Sequence, residues 1–245
     1  MGMIFRRELG QYFGSPVAYL LAFGFLLLTG LLFNGDLTLS LTNDGSTFGV
    51  RATDPALIPL NLAFIMVFMA PVLTMRLLAE ESREGTLELL LTAPVSDVAI
   101  VVGKFLAAWA FFTLLLLLTL VYQVILVSVS RPDIGHALGA YIGIWLYGGA
   151  TLAVGVFFSA LTENQVVAAF LSISALALLW LGDLAGEIVA NLELARVIRQ
   201  VTLQGHFSSS FAYGVIRGED VAYFAGIIVV MLFMATRVVG SRRWR

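Results

Sequence analysis

Residues 76–95 read RLLAEESREGTLELLLTAPV, and long apolar stretches flank them at 57–75 and 105–127. Six ionisable side chains crowd the segment: Arg76, Glu80, Glu81, Arg83, Glu84 and Glu88, with Lys104 just beyond it. A bilayer core needs about 20 apolar residues in a helix. An Arg, Lys or Asp at the centre of such a helix costs roughly 2.5–3.5 kcal/mol. Charge therefore marks the ends of spans. The flanks read as membrane helices, and 76–104 reads as the connection between them, turned toward water and a soluble partner.

The same rule applied outward predicts six spans, at about 17–33, 57–75, 105–127, 138–161, 166–185 and 221–236. Composition agrees. Of 245 residues, 60% are apolar and 12% charged, with mean hydropathy +0.95. A soluble domain is nearer half and a quarter. The predicted class is an all-α membrane protein in one unit, 1–245. A net charge of −2 offers no basic face for nucleic acid, and no cysteine is present for disulfides or thiolate metal sites. The two histidines, His136 and His206, are too few for an ordinary histidine metal cluster. Arg6 and Arg7 resemble the start of a signal peptide. The apolar run of 17–33 is long, and no small-x-small site precedes Asn34, so it reads as a retained span.

Six spans put both termini on one side. That side, with the 76–104 connection and the 162–165 turn, carries nine Lys and Arg, against five on the other. The positive-inside tendency makes it cytoplasmic. Residues 3–14 place Phe5, Leu9, Tyr12 and Phe13 at helical spacing among Arg6, Arg7, Glu8 and Gln11, which predicts an amphipathic helix lying in the membrane interface. Pro16 suits the start of the first span. The outer stretch 34–55 reads as a plain solvated connection. Between the fifth and sixth spans, Leu194, Val197, Ile198 and Val201 recur at helical spacing and predict an outer amphipathic helix. A second apolar patch follows at Phe207 and 211–216.

No phosphate loop, Gly-x-Ser-x-Gly or His-Glu-x-x-His pattern occurs, and no catalytic constellation stands out. The spans read as free of the internal charges that mark ion or proton paths. Gly139-x-x-x-Gly143 and Gly155-x-x-x-Ser159 read as close-packing positions. Tyr122, Gln123, Ser172 and Ser174 are the polar candidates for a substrate path, although a serine in a span can bond to its own helix. In the charged connection, Gly85-Thr86 breaks the second helix. Thr86 suits the cap of a short helix from Leu87, and Glu88 suits its positive end. Leu87, Leu90 and Leu91 share a face, and Pro94 stops it. On these grounds alone, a docking helix and a solvated, capped turn are equally good readings.

The pattern Glu81-x-x-x-Gly85-Thr86-x-Glu88-x-Leu90-x-x-x-Pro94 resembles the segment after the second span in permease subunits of type-2 ABC transporters. His206-Phe207-x-x-x-Phe211-x-x-Gly214, continuing to Asp220 and Tyr223-Phe224, resembles the region before the last span in the gliding-motility and nitrous-oxide-reductase-maturation branch. Arg7-Glu8-Leu9-x-x-Tyr12-Phe13-x-Ser15-Pro16 resembles the start of the gliding-motility members. The three occur in order across nearly the whole chain. The resemblance implies a type-2 ABC transmembrane domain whose cytoplasmic coupling helix, between spans 2 and 3, seats in a separate ATPase subunit. That subunit binds the ATP and Mg, and this chain holds no cofactor and is not an enzyme. It further implies a second permease, identical or different, an accessory membrane protein with an extracytoplasmic domain, an export direction, and the inner membrane of a prokaryote. Contacts to the ATPase are assigned by it to Glu81, Arg83, Glu84, Gly85, Thr86 and Glu88, with Arg6, Arg7 and Glu163 as a further group. Arg76 and Lys104 would anchor the connection, or else snorkel to headgroups. The competing readings are a non-transporting scaffold or assembly factor, and a passive channel or secondary transporter.

Overall fold

The computed structural model describes residues 1–42, 54–86, 95–129, 133–188, 193 and 200–242. Its long elements are all helices: α1 (Gly2–Gly14), α2 (Pro16–Thr42), α3 (Leu57–Arg83), α4 (Asp97–Val129), α5 (Ile134–Leu161), α6 (Gln165–Ile188), the short α7 (Leu203–Ser209) and α8 (Gly218–Arg242). Six of these, α2 to α6 and α8, are long and apolar enough to cross a membrane. Hydrocarbon offers no partner for backbone N–H and C=O groups, so a spanning chain must bond them within itself. That makes helices from apolar sequence of otherwise unremarkable propensity.

Helix ends sit where the sequence supplies caps. The Asp133 carboxylate accepts from Gly135 N at 2.8 Å to open α5. The Asn164 side chain accepts from Val166 N at 2.9 Å to open α6. Gly85, at φ +71°, ends α3 in the left-handed conformation that favours glycine. Glu219 and Asp220 open α8 and Arg242 closes it, which matches the helix dipole at both ends.

The spans are longer than the charge-free stretches that predict them. Helix α2 runs on to Thr42 and α3 to Arg83, and α4 starts at Asp97. These extensions overturn two expectations. Asp36 is not in a solvated connection. It lies in α2, 1% exposed, and accepts from Asn61 Nδ2 of α3 at 2.9 Å. Lys104 lies inside α4 and is 1% exposed. The spans therefore carry buried charge near their ends, because hydrogen-bonding partners on neighbouring helices meet it there. The predicted short helix from Leu87, with Glu88, and most of the predicted outer helix, with Leu194, Val197 and Ile198, lie outside the described residues.

Helices α3 and α5 form the centre. Over their most apolar windows they are 83% and 72% buried, whereas α2, α6 and α8 fall to 22% or less. The central crossing depends on small groups. A Cβ at Gly155 of α5 would fall 2.1 Å from Thr74 Oγ1 of α3. One turn on, Ser159 Oγ accepts from Leu78 N and Ala79 N at 3.1 Å each and donates to Met75 O at 3.0 Å. Helix α4 joins α5 through Trp109, stacked on Trp145 at 4.3 Å and donating to its carbonyl. The Gly139 and Gly143 pair receives no second span. Gly139 faces the backbone of Gly214, and Gly143 faces the Phe211 ring, in the 3-10 turn Phe211–Tyr213 and the residue after it.

Candidate functional site

Helix α1 lies against α4 because Gly103 leaves room for it. A Cβ there would sit 3.0 Å from Ile4 Cγ2. One turn further along α1, on the same face, Glu8 is 2% exposed. The inward face of α1 is thus Ile4, Glu8 and Tyr12. Of the expected face of Phe5, Leu9, Tyr12 and Phe13, Tyr12 turns inward, whereas Phe5 and Leu9 are half-buried and Phe13 is exposed. A carboxylate can occupy that face because Lys104 is the residue it meets.

Lys104 Nζ stands 3.0 Å from Glu8 Oε1 and 2.8 Å from Glu81 Oε1. Arg7 Nη2 reaches the same two oxygens, at 2.7 and 2.9 Å. Two cations and two carboxylates alternate, and they tie α1, the end of α3 and the start of α4 into one joint. Hydrogen bonding to Glu8, reinforced by the charges of Glu8 and Glu81, raises the Arg7 pKa against partial desolvation. Tyr12 anchors the far end of α1. Its hydroxyl donates to Leu73 O at 2.8 Å, and its ring stacks on Phe111 at 5.0 Å. Burial, with the Glu8 charge second, pushes the Tyr12 phenol up.

Beside the joint lies a cleft of about 430 Å³. Apolar side chains of α2 and α3 line one part of it, and Arg7, Glu8, Arg76, Glu80, Glu81, Glu84 and Lys104 line the other. A second tie closes the same end of the bundle. Arg242 of α8 donates to Ser82 Oγ of α3 and, at 3.0 Å, to Ala160 O of α5, with Glu163 at 3.6 Å.

The sequence-assigned residues divide by position. Glu81 and Arg7 turn into the joint. Arg83 is exposed beside Glu80 at 3.8 Å, and Arg6, Glu84, Gly85 and Thr86 are exposed. Thr86 Oγ1 turns back to donate to Glu81 O at 3.3 Å. The Glu163 side chain is 69% exposed beyond Arg242, and Glu88 lies outside the described residues. The reading that has Lys104 snorkelling to headgroups gives way to the joint, since both carboxylates reach it inside the fold.

Three of the four polar candidates within the spans are hydrogen-bonded within the fold. Tyr122 donates to Leu26 O at 3.0 Å, Gln123 to Pro55 O at 2.7 Å, and Ser172 to Ala168 O of its own helix at 2.7 Å. Ser174 is half-buried on α6. None of the four lines the charged cleft.

At the opposite end, Phe207 and Phe211 of the second apolar patch fold into a plug, while Tyr213, Val215 and Ile216 stay exposed. Phe207 and Phe211 are fully buried with Phe224 of α8, and Phe207 and Phe224 each lie 6.0 Å from the Tyr147 ring of α5. His206 Nδ1 meets Asp220 Oδ1 at 2.6 Å, Nε2 meets Gln200 O at 3.0 Å, and the ring stacks on Tyr223 at 3.8 Å. Sequence reasoning placed Ser159 as a close-packing position and Lys104 as an anchor of the connection, but it missed the partners of both and the role of Arg242. For Lys104 a signal was available: it is the only lysine, and it ends an apolar run, 98–103, that joins the next span without a break.

Residues 17–239 match the family described as ABC-2 family transporter protein. No curated protein matches the chain.

Proposed function

The chain belongs to the ABC-2 transporter family, as a multi-pass membrane component of an ABC transporter, and we propose that it works as the permease coupled to a separate cytoplasmic ATPase. In this reading the end of the bundle that carries the joint is cytoplasmic, as are both termini. Residues 84–94 form the element that docks on the ATPase. That subunit binds ATP and Mg, and this chain carries the movement into the spans. Two permeases, identical or different, complete the pathway, in the export direction and in a prokaryotic inner membrane. The three sequence patterns support the gliding-motility and nitrous-oxide-reductase-maturation branch, with its accessory membrane protein.

One observation carries the reading. Lys104, Glu8, Glu81 and Arg7 bind three elements together, and Glu81, at the end of α3, leads directly into the docking segment. A push on that segment meets a joint and not a hinge, so it moves α3, α4 and α1 together. Close-packed helices transmit such displacement because their interior is nearly incompressible.

The test is purification of the chain from native membranes in mild detergent, with an ATPase assay on the eluate. A co-eluting ATPase in stoichiometric amount supports the reading, and any further membrane chain identifies the partner permease or accessory protein. A chain that elutes without an ATPase, even after gentle crosslinking, refutes it and favours the scaffold or passive-transport alternative.

A further inference from the structure

We infer that the cleft beside the joint is a binding site for one phospholipid headgroup, and that its chemistry selects phosphatidylethanolamine. The inference rests on the six spans and on this cleft, and it does not require the ATPase.

The cleft straddles the boundary of the apolar sequence. Val17, Ala18 and Leu21, from the first turns of α2, line it together with Val72 and Leu73 of α3. Arg76, the first charge after the apolar run of 57–75, is exposed and lines it as well. A lipid meets the protein in this sequence, acyl chain first and phosphate at the level of the first charge. The volume of about 430 Å³ suits a headgroup and the start of one chain.

Charge decides the headgroup. The lining holds three cations, Arg7, Arg76 and Lys104, and four carboxylates, Glu8, Glu80, Glu81 and Glu84. Arg7 and Lys104 are committed to Glu8 and Glu81 in the joint. Arg76 is exposed, and among the described residues its guanidinium has no ion-pair partner. It stands one helical turn, ~6 Å of rise, from Glu80, which is held only at 3.8 Å by Arg83. A free guanidinium and a loosely held carboxylate at that spacing match a phosphate and a primary ammonium. A headgroup with net negative charge would meet a lining that is itself net negative. A choline headgroup has no N–H to donate to Glu80.

The test is native mass spectrometry of the purified chain from micelles supplied with equal amounts of phosphatidylethanolamine, phosphatidylglycerol and phosphatidylcholine, with no ATPase present. One phosphatidylethanolamine should be retained per chain, at least fivefold above either competitor. Arg76→Gln should lower that retention at least fivefold. Val72→Trp, which fills the apolar arm and leaves every charge in place, should do the same. Glu80→Gln should keep a lipid but lose the preference over phosphatidylcholine. Equal retention of the three lipids by the unmodified chain would overturn the inference, as would preference for phosphatidylglycerol. So would retention that neither Arg76→Gln nor Val72→Trp changes.

Discussion

Replacing Lys104 with methionine keeps the length of the side chain and removes the charge at the centre of the joint. Removing one partner from a buried ion pair costs ~3–5 kcal/mol, because the other is left uncompensated. Two features reduce that here. Arg7 still reaches both carboxylate oxygens, at 2.7 and 2.9 Å, and the Glu81 side chain is 17% exposed, so solvent screens part of the loss. About 2–3 kcal/mol remains. It should appear first as undocking of α1, which the joint holds at its middle, with Ile4 and Tyr12 on either side. Since 1.4 kcal/mol is tenfold, the undocked fraction should rise ~30–150-fold. The chain has no cysteine, so Ile4→Cys introduces a single thiol on the buried face, where Ile4 is 7% exposed. The rate of maleimide labelling then reports undocking. On that background Lys104→Met should label ~30–150-fold faster. Adding Glu8→Gln, which removes one of the stranded carboxylates, should recover most of the protection. If Lys104→Met labels within about threefold of its Lys104 parent, a change of under ~0.7 kcal/mol, packing and not the ionic joint holds α1, and the reasoning fails.

Other expectations follow from single contacts. Gly143→Ala puts a methyl group 2.4 Å from Phe211 Cβ and should cost about 1–3 kcal/mol through displaced packing. Gly226→Ala, with nothing within 4 Å, should leave thermal stability in detergent unchanged; equal melting of the two variants would remove the plug from its place in the fold. Ser159→Ala gives up three backbone contacts between the central helices and should cost about 1–2 kcal/mol, read as a lower melting temperature that Ser159→Thr does not reproduce through the same loss of bonding. Glu84→Arg and Glu88→Arg change charge on or beside the docking segment and should weaken capture of the ATPase without altering chain stability. Unchanged affinity and ATPase activity in both would withdraw the docking assignment.

How far the sequence could be read depended on the range of the forces involved. All six spans were legible because the cost of charge in hydrocarbon is local and large. Their lengths were not, because a charge at a helix end can be paid back by a partner far away in sequence. Asp36 meets Asn61 across 25 residues, and Lys104 meets Glu8 across nearly a hundred. Nothing near either residue announces its partner. The inward position of Glu8 on α1 was hidden for the same reason, since periodicity counts Glu8 as outward whenever Lys104 is unknown. Gly139 and Gly143 were correctly read as small for close approach. That an aromatic turn and not another span comes close depends on the chain returning from α7, which no local pattern encodes.

The three sequence patterns that mark the family resemblance gain a common physical meaning from the contacts their residues make. Glu8 and Arg7 belong to the first pattern and Glu81 to the second, and they meet on Lys104. His206, Phe207, Phe211, Asp220 and Phe224 of the third form the plug at the other end. Neither knot resembles a site built to turn over a substrate. Each instead fixes a helix end that the bilayer cannot fix. The apolar lengths of α2 and α8 could slide or tilt in lipid at little cost, since lipid is as apolar as a neighbouring helix. Polar contacts are the interactions that lipid cannot imitate, and they sit where the helices leave it. The residues assigned to ATPase contact accordingly separate into two roles. Glu84, Gly85, Thr86, Arg83 and Arg6 are exposed and available to a partner. Glu81 and Arg7 are ion-paired within the chain, and in the proposed reading they would act on the partner through the joint. Substitution at the first group should change how tightly a partner binds, whereas substitution at the second should change how much of the partner's movement reaches α3 and α4.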